Sequence, residues 1–180
     1  MAHKEQQDFC RYVKELFPDR FKDSYVLDIG SLDINGSIKE LFENSEYVGV
    51  DVGPGKNVDV VSRGHLYHSD RKFDVVSSAE CFEHDENYGL TIHNMYRLLK
   101  PGGLFFFTCA SEGRAEHGTR RTTPQNAPYI AEMGDYYRNL VEKDIRDIIN
   151  IDQLFYKYEF QQRSFFPQDL YFWGLKKIGL

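Results

Sequence analysis

The chain has 180 residues, of which 41% are hydrophobic and 28% are charged, and its formal net charge is −6 at pH 7. This length suits one domain with a substantial core, and the apolar fraction excludes a disordered chain. The acidic balance disfavours a general nucleic-acid binder, which would carry a basic excess. We therefore expect no nucleic-acid partner.

Three widely separated cysteines, Cys10, Cys81 and Cys109, form no Cys-x-x-Cys pair. They predict neither a disulfide framework nor a cysteine zinc motif, and we expect no metal site. The N-terminal residues are polar and mixed in charge, unlike a signal peptide, and no apolar run approaches the ~20 residues that span a bilayer. The sequence therefore predicts a cytoplasmic protein without a membrane partner and leaves the oligomeric state open.

Helices and strands alternate through the first part of the chain. Apolar residues at helical spacing predict a helix over 5–17, which Pro18 ends. A short helix is predicted at 38–42, and a longer one over 86–99. Apolar runs predict strands over 24–29, 46–51, 58–61, 73–78 and 104–109. Alternation of this kind is typical of a mostly parallel, doubly wound sheet.

The pattern changes after the fifth predicted strand. Residues 111–138 are polar and lack periodicity, as functional or mobile loops do. Asn139 and Glu142 resemble a capping box that starts another helix. Two aromatic-rich runs, 153–162 and 169–177, predict an antiparallel hairpin at the end of the sheet.

Residues 26–37 are the most informative stretch. An apolar run contains Asp28 and ends at Gly30, Gly36 precedes a short amphipathic segment, and the next apolar run ends in Asp51. A strand, a tight glycine turn and an acid at the tip of the following strand form a cradle for a nucleoside cofactor in an open α/β sheet.

The order of these motifs resembles the class I S-adenosylmethionine-dependent methyltransferases. The resemblance rests on residues 26–30 with 35–36, 48–51, 73–78, 83–84 and 98–103. The chain is similar to the small, single-domain bacterial or phage-type members. The resemblance implies an α/β, Rossmann-like, doubly wound seven-stranded sheet, mostly parallel with a C-terminal antiparallel hairpin. It also implies S-adenosylmethionine as methyl donor and S-adenosylhomocysteine as product.

We interpret residues 1–180 as a single domain of this family. Its predicted parts are an N-terminal helix, a cofactor-binding core, a substrate loop and a final helix with the hairpin, over 1–23, 24–110, 111–138 and 139–180.

The resemblance assigns cofactor contacts to the ends of the first four strands. Asp28 would meet the ammonium group of the cofactor, and Asp51 would accept hydrogen bonds from both ribose hydroxyls. The remaining predicted contacts follow strands one to four: Gly30, Ser31, Asn35, Gly36, Val52, His65, Leu66, Ser78 and Glu80. Of these, His65 and Leu66 would flank the adenine, while Ser78 and Glu80 would lie beside the sulfonium.

Methyl transfer requires a base when the acceptor is a hydroxyl or a protonated amine. The predicted catalytic residues are His84, after the fourth strand, and His117, in the loop after the fifth. The expected reaction is methylation, at oxygen, of a small molecule or a glycan-type acceptor.

The loop after the fifth strand gathers three arginines in an otherwise acidic chain. Arg114, Arg120 and Arg121, with Tyr137, are predicted to bind an anionic substrate, because arginine recognises carboxylate and phosphate through two parallel hydrogen bonds. A second interpretation pairs these arginines with Glu112, Glu116 and Asp135 in a solvated loop.

Two other functions are open on sequence grounds. A nicotinamide-dependent oxidoreductase needs a Gly-x-Gly-x-x-Gly turn, and here Ser31 and Leu32 follow Gly30. A non-catalytic module that binds the cofactor or assists another enzyme is the second alternative. Amine methylation of nucleic acid is disfavoured, because the quartet Asn-Ala-Pro-Tyr at 126–129 follows the fifth strand rather than the fourth.

Overall fold

One seven-stranded sheet organises the chain, and its strand order is β3-β2-β1-β4-β5-β7-β6. A computed structural model describes residues 3–179. The strands are β1 Tyr25–Ile29, β2 Glu46–Asp51, β3 Val60–Val61, β4 Phe73–Ala79, β5 Leu99–Ala110, β6 Phe155–Gln162 and β7 Asp169–Lys176. The first five are parallel, whereas β7 runs antiparallel to both β5 and β6. This arrangement confirms the predicted Rossmann-like α/β fold.

Helices cover both faces of the sheet. They are α1 Lys4–Leu16, α2 Tyr88–Leu98, α3 Glu142–Ile148 and α4 Ile151–Leu154. Side chains of a strand point alternately to the two faces, so neighbouring residues enter different cores. Val26 joins the core under α1, together with Phe9 and Val13, whereas Leu27 joins the core under α2, together with Ile92. The strands at the centre of the sheet are therefore apolar on both sides.

One predicted helix detail is confirmed and one is wrong. The short helix predicted at 38–42 is present as a 3₁₀ helix, Ile38–Leu41, in the connection from β1 to β2. The capping box predicted from Asn139 and Glu142 is not formed, because α3 begins at Glu142 itself. The carboxylate that caps this helix belongs to Asp144, which accepts the backbone N–H of Val141 at 2.9 Å.

The last strand of the chain, β7, lies inside the sheet between β5 and β6. The predicted runs 153–162 and 169–177 correspond to β6 and β7 of the hairpin. Its aromatic residues pack at the sheet centre, where the rings of Phe107 and Phe172 stack with centroids 5.4 Å apart. Phe155 meets Phe172 edge-on at 5.3 Å.

Within residues 3–179, none of the helices has both the length and the apolar character that crossing a bilayer requires.

Candidate active site

A cleft opens at the carboxyl ends of β1, β2 and β4, the edge where open α/β sheets bind ligands. Its empty space, counted together with the open mouth, is about 1210 Å³. Most of the predicted cofactor residues line it: Asp28, Gly30, Ser31, Asn35, Gly36, Asp51, Val52 and Glu80. The fold thus brings together residues from the ends of three different strands, β1, β2 and β4, and from the loops that follow them.

Gly30 makes the turn after β1 with a φ of 83°, a conformation that favours glycine. A Cβ there would lie 2.5 Å from the Cβ of Cys81. Protein packing therefore requires the glycine. The next residue, Ser31, is buried, and its Oγ has no hydrogen-bond partner within residues 3–179. This hydroxyl is available to a molecule bound in the cleft.

Asp33 does not obstruct the cleft. Its Oδ1 accepts the backbone N–H of Gly36 at 2.8 Å, and its Oδ2 lies 2.6 Å from Nζ of Lys56. Asn35 and Gly36 close this loop along the cleft wall, just before the 3₁₀ helix Ile38–Leu41.

Asp51 is fixed at the tip of β2 by two backbone donors. Its Oδ2 accepts the N–H of Leu32 at 3.1 Å, and its Oδ1 accepts the N–H of Gly53 at 3.4 Å. Burial raises the pKa of Asp51, and the backbone hydrogen bonds oppose that rise. The carboxyl group is thus held in position on the cleft wall by the loops that follow β1 and β2.

Asp28 forms the floor of the cleft and is only 3% exposed. Tyr47 donates its hydroxyl to Oδ2 at 2.5 Å, and Ser77 donates to Oδ1 at 3.0 Å. Burial nevertheless raises the pKa of Asp28 to about 7. Asp28 therefore changes its charge near neutral pH.

Glu80 belongs to an ion-paired cluster, which we define as His3, Glu80, Arg114 and Asp169. His3 Nε2 lies 2.9 Å from Asp169 Oδ2 and 3.6 Å from Glu80 Oε2, and Arg114 Nη1 lies 2.8 Å from Asp169 Oδ1. Burial disfavours the charged form of His3. The two nearby carboxylates favour that form more strongly and raise the pKa of His3 to about 9. Burial likewise opposes charge on Glu80, but His3 lowers its pKa to about 2. His3 and Glu80 therefore both carry charge at neutral pH.

The predicted catalytic histidines belong to a second group, the buried triad of Glu83, His84 and His117. Glu83 and His84 lie in the 3₁₀ turn Phe82–His84 after β4, and His117 lies in the loop after β5. The two imidazole rings meet edge-on with centroids 5.3 Å apart. His84 reaches the cleft, while Glu83 and His117 lie behind it. The fold has brought the two histidines side by side.

The triad has few polar contacts. Within residues 3–179, neither carboxyl oxygen of Glu83 and neither ring nitrogen of His84 has a hydrogen-bond partner. His117 Nε2 lies 3.8 Å from Glu83 Oε1, too far for a hydrogen bond. Burial raises the pKa of Glu83 to about 8 and lowers that of His84 to about 3. Burial also lowers the pKa of His117, so both imidazoles are neutral.

Some predicted cofactor residues lie outside the cleft lining. Leu66 is 66% exposed, and His65 lies beside it in the turn Gly64–Leu66. Ser78 donates its hydroxyl to the carbonyl of Ile29 at 2.8 Å and so ties β4 to β1. The cleft is lined instead by the preceding segment, Ser62, Arg63 and Gly64.

The arginine cluster expected in the loop is not formed. Arg114 is committed to Asp169, while the exposed Arg121 pairs with Glu116 at 2.5 Å. The backbone N–H of Arg120 donates to Asp135 at 2.7 Å. None of these arginines lines the cleft described above. Of the pairings in the second interpretation, the structure shows that of Arg121 with Glu116, whereas Arg114 pairs with Asp169 and the guanidinium of Arg120 donates to the carbonyl of Ala131.

Tyr137 also lies outside the lining. Its ring meets the rings of His117 and His84 edge-on, with centroids 5.2 Å and 5.4 Å away. Its hydroxyl donates to the carbonyl of Ala115 at 3.2 Å. Tyr137 therefore packs on the buried triad.

The loop after β5, which the sequence analysis assigned to the substrate, forms the roof of the cleft. The residues that line it there are Asn126, Ala127, Pro128, Tyr129, Ile130, Met133 and Tyr136. Tyr129 donates its hydroxyl to the carbonyl of Pro54 at 2.6 Å, which fastens this loop over the loop after β2. The Asn-Ala-Pro-Tyr quartet at 126–129 thus lies on the cleft. Gln6 of α1 also lines the cleft, and no motif pointed to it.

A family model described as a methyltransferase domain matches residues 1–154. Phosphoethanolamine N-methyltransferase 2 of Caenorhabditis elegans is 32% identical over 81 residues, which are 45% of this chain and 17% of that protein. The chain therefore matches only a small part of the length of this curated relative.

Solved structures share the fold at low sequence identity. N-methyltransferase NodS from Bradyrhizobium japonicum WM9 has a TM-score of 0.61 and 15% identity, with 96% of this chain and 97% of that chain covered. Phosphoethanolamine N-methyltransferase 2 of Haemonchus contortus, in complex with phosphomonomethylethanolamine and S-adenosylhomocysteine, has a TM-score of 0.66 and 16% identity, with 95% and 53% covered.

The family match extends over most of the sequence, and the sheet order and cleft agree with it. The chain therefore belongs to the methyltransferase-domain family, which confirms its resemblance to the class I S-adenosylmethionine-dependent methyltransferases.

Proposed function

We propose that this domain transfers the methyl group of S-adenosylmethionine to a hydroxyl oxygen of a small molecule or sugar-type acceptor. The observation that carries the proposal is the position of Asp28 and Asp51, which lie at the tips of neighbouring strands on the wall of one cleft. A cofactor with a ribose diol and an ammonium group offers hydrogen-bond donors to both carboxylates.

In this proposal Asp51 accepts hydrogen bonds from the two ribose hydroxyls, and Asp28 faces the ammonium group. Ser31 Oγ, buried in the lining, adds a polar contact to the amino-acid part of the cofactor. The adenine lies against Val52 and the segment 62–64, because these residues line the cleft and Leu66 does not.

Methyl transfer is an in-line displacement in which the acceptor oxygen forms a bond to the methyl carbon and the sulfonium leaves as a neutral thioether. The protein contributes mainly by positioning the acceptor, an effect worth up to about 7–11 kcal/mol. A hydroxyl acceptor also loses its proton. His84 reaches the cleft and His117 lies directly behind it, so the pair sets polar ring nitrogens beside the cleft where a hydroxyl acceptor would lose its proton, and this supports oxygen as the acceptor atom.

Cofactor binding is tested by titration calorimetry with S-adenosylmethionine, S-adenosylhomocysteine and NAD. We expect the first two ligands to bind and Asp51→Asn to weaken both at least tenfold, since each charge-assisted hydrogen bond contributes about 1.5–3 kcal/mol. Asp70→Asn is the matched control, because its side chain is fully exposed. Binding of NAD alone, or equal affinities for the two variants, would contradict the proposal.

The acceptor is tested separately by following transfer of a labelled methyl group to panels of small hydroxyl and amine compounds. Label on a hydroxyl supports the proposal. Label on amines alone shows that the acceptor atom is nitrogen. Cofactor binding without transfer to any panel member favours the non-catalytic module.

A further inference from the structure

We propose that the buried triad, Glu83, His84 and His117, is a binding site for a divalent transition-metal ion of the Zn²⁺ type. Two imidazoles and one carboxylate are a donor set that suits Zn²⁺ and its neighbours in the first transition row. The composition of the chain had suggested no metal site, because the donors come from segments more than thirty residues apart.

The first argument is the lack of polar partners at a fully buried position. Glu83 is 0% exposed, and His84 and His117 are each 7% exposed. Five of their donor or acceptor atoms have no hydrogen-bond partner within residues 3–179: Glu83 Oε1, Glu83 Oε2, His84 Nδ1, His84 Nε2 and His117 Nε2. Buried polar atoms in proteins are nearly always satisfied, so such a concentration requires a partner from outside these residues.

The second argument is distance. One donor atom from each residue can be chosen so that all three lie within 4.8 Å of one another. Bonds of about 2.0–2.1 Å around Zn²⁺ would set tetrahedral ligand atoms about 3.4 Å apart. Small side-chain rotations that draw the three atoms together thus complete the site, and a fourth position is left for water.

The third argument is the orientation of His117. Its Nδ1 lies 3.1 Å from the carbonyl of Ala115 and 3.3 Å from the hydroxyl of Tyr137. Since a carbonyl only accepts, the tautomer that satisfies the Ala115 contact has its proton on Nδ1 and its lone pair on Nε2. That lone pair is on the nitrogen nearest to Glu83 Oε1. Metal-binding histidines are commonly oriented in this way, with the second nitrogen donating to a carbonyl.

The fourth argument is the space made for His84. Gly118 has a φ of 67°, and a Cβ there would lie 2.7 Å from Cε1 and 3.1 Å from Nε2 of His84. The loop that supplies His117 therefore passes close to the imidazole of His84 with no side chain in between.

A second group of similar donors, His3, Glu80 and Asp169, also lies within ligand distance. There His3 already pairs with two carboxylates, and Arg114 forms an ion pair with Asp169. A protonated imidazole has no lone pair to offer a metal. This group is therefore a natural control.

The metal site stands independently of the proposed function, because the arguments concern only protein donors. It is also compatible with oxygen methylation, since a bound ion acidifies a hydroxyl or water that contacts it. With the ion in place, the imidazoles act as ligands and neither of them serves as the base.

The test uses the full chain, stripped with a chelator, in the absence of S-adenosylmethionine. Zn²⁺ affinity is measured by competition with a chromophoric chelator, and Co²⁺ is added as a probe whose visible absorption reports nitrogen and oxygen coordination. We expect one ion per chain, and at least tenfold weaker binding in Glu83→Gln, His84→Ala and His117→Ala. His3→Ala and the exposed His68→Ala should bind as tightly as the parent chain.

Thermal unfolding adds a readout that does not depend on activity. A ligand that binds only the folded state raises the unfolding midpoint, so Zn²⁺ should stabilise the parent chain and His3→Ala but not Glu83→Gln. Glu83→Gln should fold without metal, because it replaces a carboxyl that has no hydrogen bond within residues 3–179.

Equal Zn²⁺ affinity for the parent and all three triad variants would overturn the proposal, as would loss of binding in His3→Ala alone. If instead S-adenosylmethionine fails to bind the metal-free chain while Zn²⁺ binds at the triad, the proposed function fails and the metal site stands.

Discussion

The ion-paired cluster and the buried triad are built from the same kinds of side chain but have opposite electrostatic states. In the ion-paired cluster, the imidazole of His3 faces two carboxylates, and Arg114 balances Asp169. In the triad, nearby charges offset less of the desolvation cost of the charged forms. The pKa of Glu83 therefore rises to about 8, and the imidazole of His84 remains neutral.

The comparison shows that burial alone does not fix the charge of a histidine or a glutamate. A close partner of opposite charge offsets the cost of desolvation, and without it the neutral form is favoured. Residues that keep their charge bind one another and stabilise the fold, whereas neutral imidazoles retain lone pairs for a ligand.

The strongest test of the comparison is removal of Arg114. Arg114→Ala leaves Asp169, which is 0% exposed, with His3 as its remaining cationic neighbour among residues 3–179. Breaking a buried pair costs about 3–5 kcal/mol, and we expect the lower end of that range because His3 stays in place. The loss should appear as a lower urea midpoint of unfolding.

The matched control is Arg121→Ala, from the same loop. Its side chain is 80% exposed, and exposed ion pairs contribute about 0–1 kcal/mol. If the two arginine variants lose the same stability, Arg114 does not compensate the buried charge of Asp169, and the proposed contrast between the ion-paired cluster and the buried triad is wrong.

Asp28 sharpens the comparison, since it is buried like Glu83 but receives hydrogen bonds from Tyr47 and Ser77. Its pKa of about 7 means that the anion forms as pH rises through neutrality. If the anion alone attracts the ammonium group of S-adenosylmethionine, affinity should increase roughly eightfold between about pH 6 and 7.5. Calorimetry at a series of pH values measures this change, and Asp28→Asn should give a flat profile.

His3 provides the smallest expected effect. Because its pKa is raised to about 9 in the folded chain from an ordinary value of 6.5, its stabilising contribution is complete below pH 6.5 and is lost as pH rises through 9. The side chain is partly exposed, so solvent screening limits the contribution to about 1 kcal/mol. The difference in unfolding free energy between the parent and His3→Ala should therefore shrink from neutral to alkaline pH.

A difference that stays constant across this range would show that His3 acts by packing and not by charge. The ion-paired cluster would then owe its stability to Arg114 alone.

The sequence was sufficient where a single segment decides the structure. The apolar run of β1, which contains Asp28, and the acid at the tip of β2 placed Asp28 and Asp51 at one sheet edge, because parallel strands end at the same edge. The antiparallel hairpin followed from two aromatic runs with no helix between them.

The sequence was insufficient where segments far apart in the chain meet. Nothing local to His3 indicates Asp169, and nothing near Glu83 indicates His117, so neither cluster had a motif. The short helix expected at 38–42 is local and forms as a 3₁₀ helix that buries Ile38, because the segment has apolar residues for barely one turn.

The place of β7 inside the sheet has a consequence for synthesis of the protein on the ribosome. Until β7 emerges, the nascent chain offers the unpaired backbone edge of β5, whose residues 104–109 are almost all apolar. Such an edge invites pairing with other chains. Truncated forms that end before residue 169 should therefore collect in inclusion bodies, and holdase chaperones should associate with ribosomes that have not yet released the final strand.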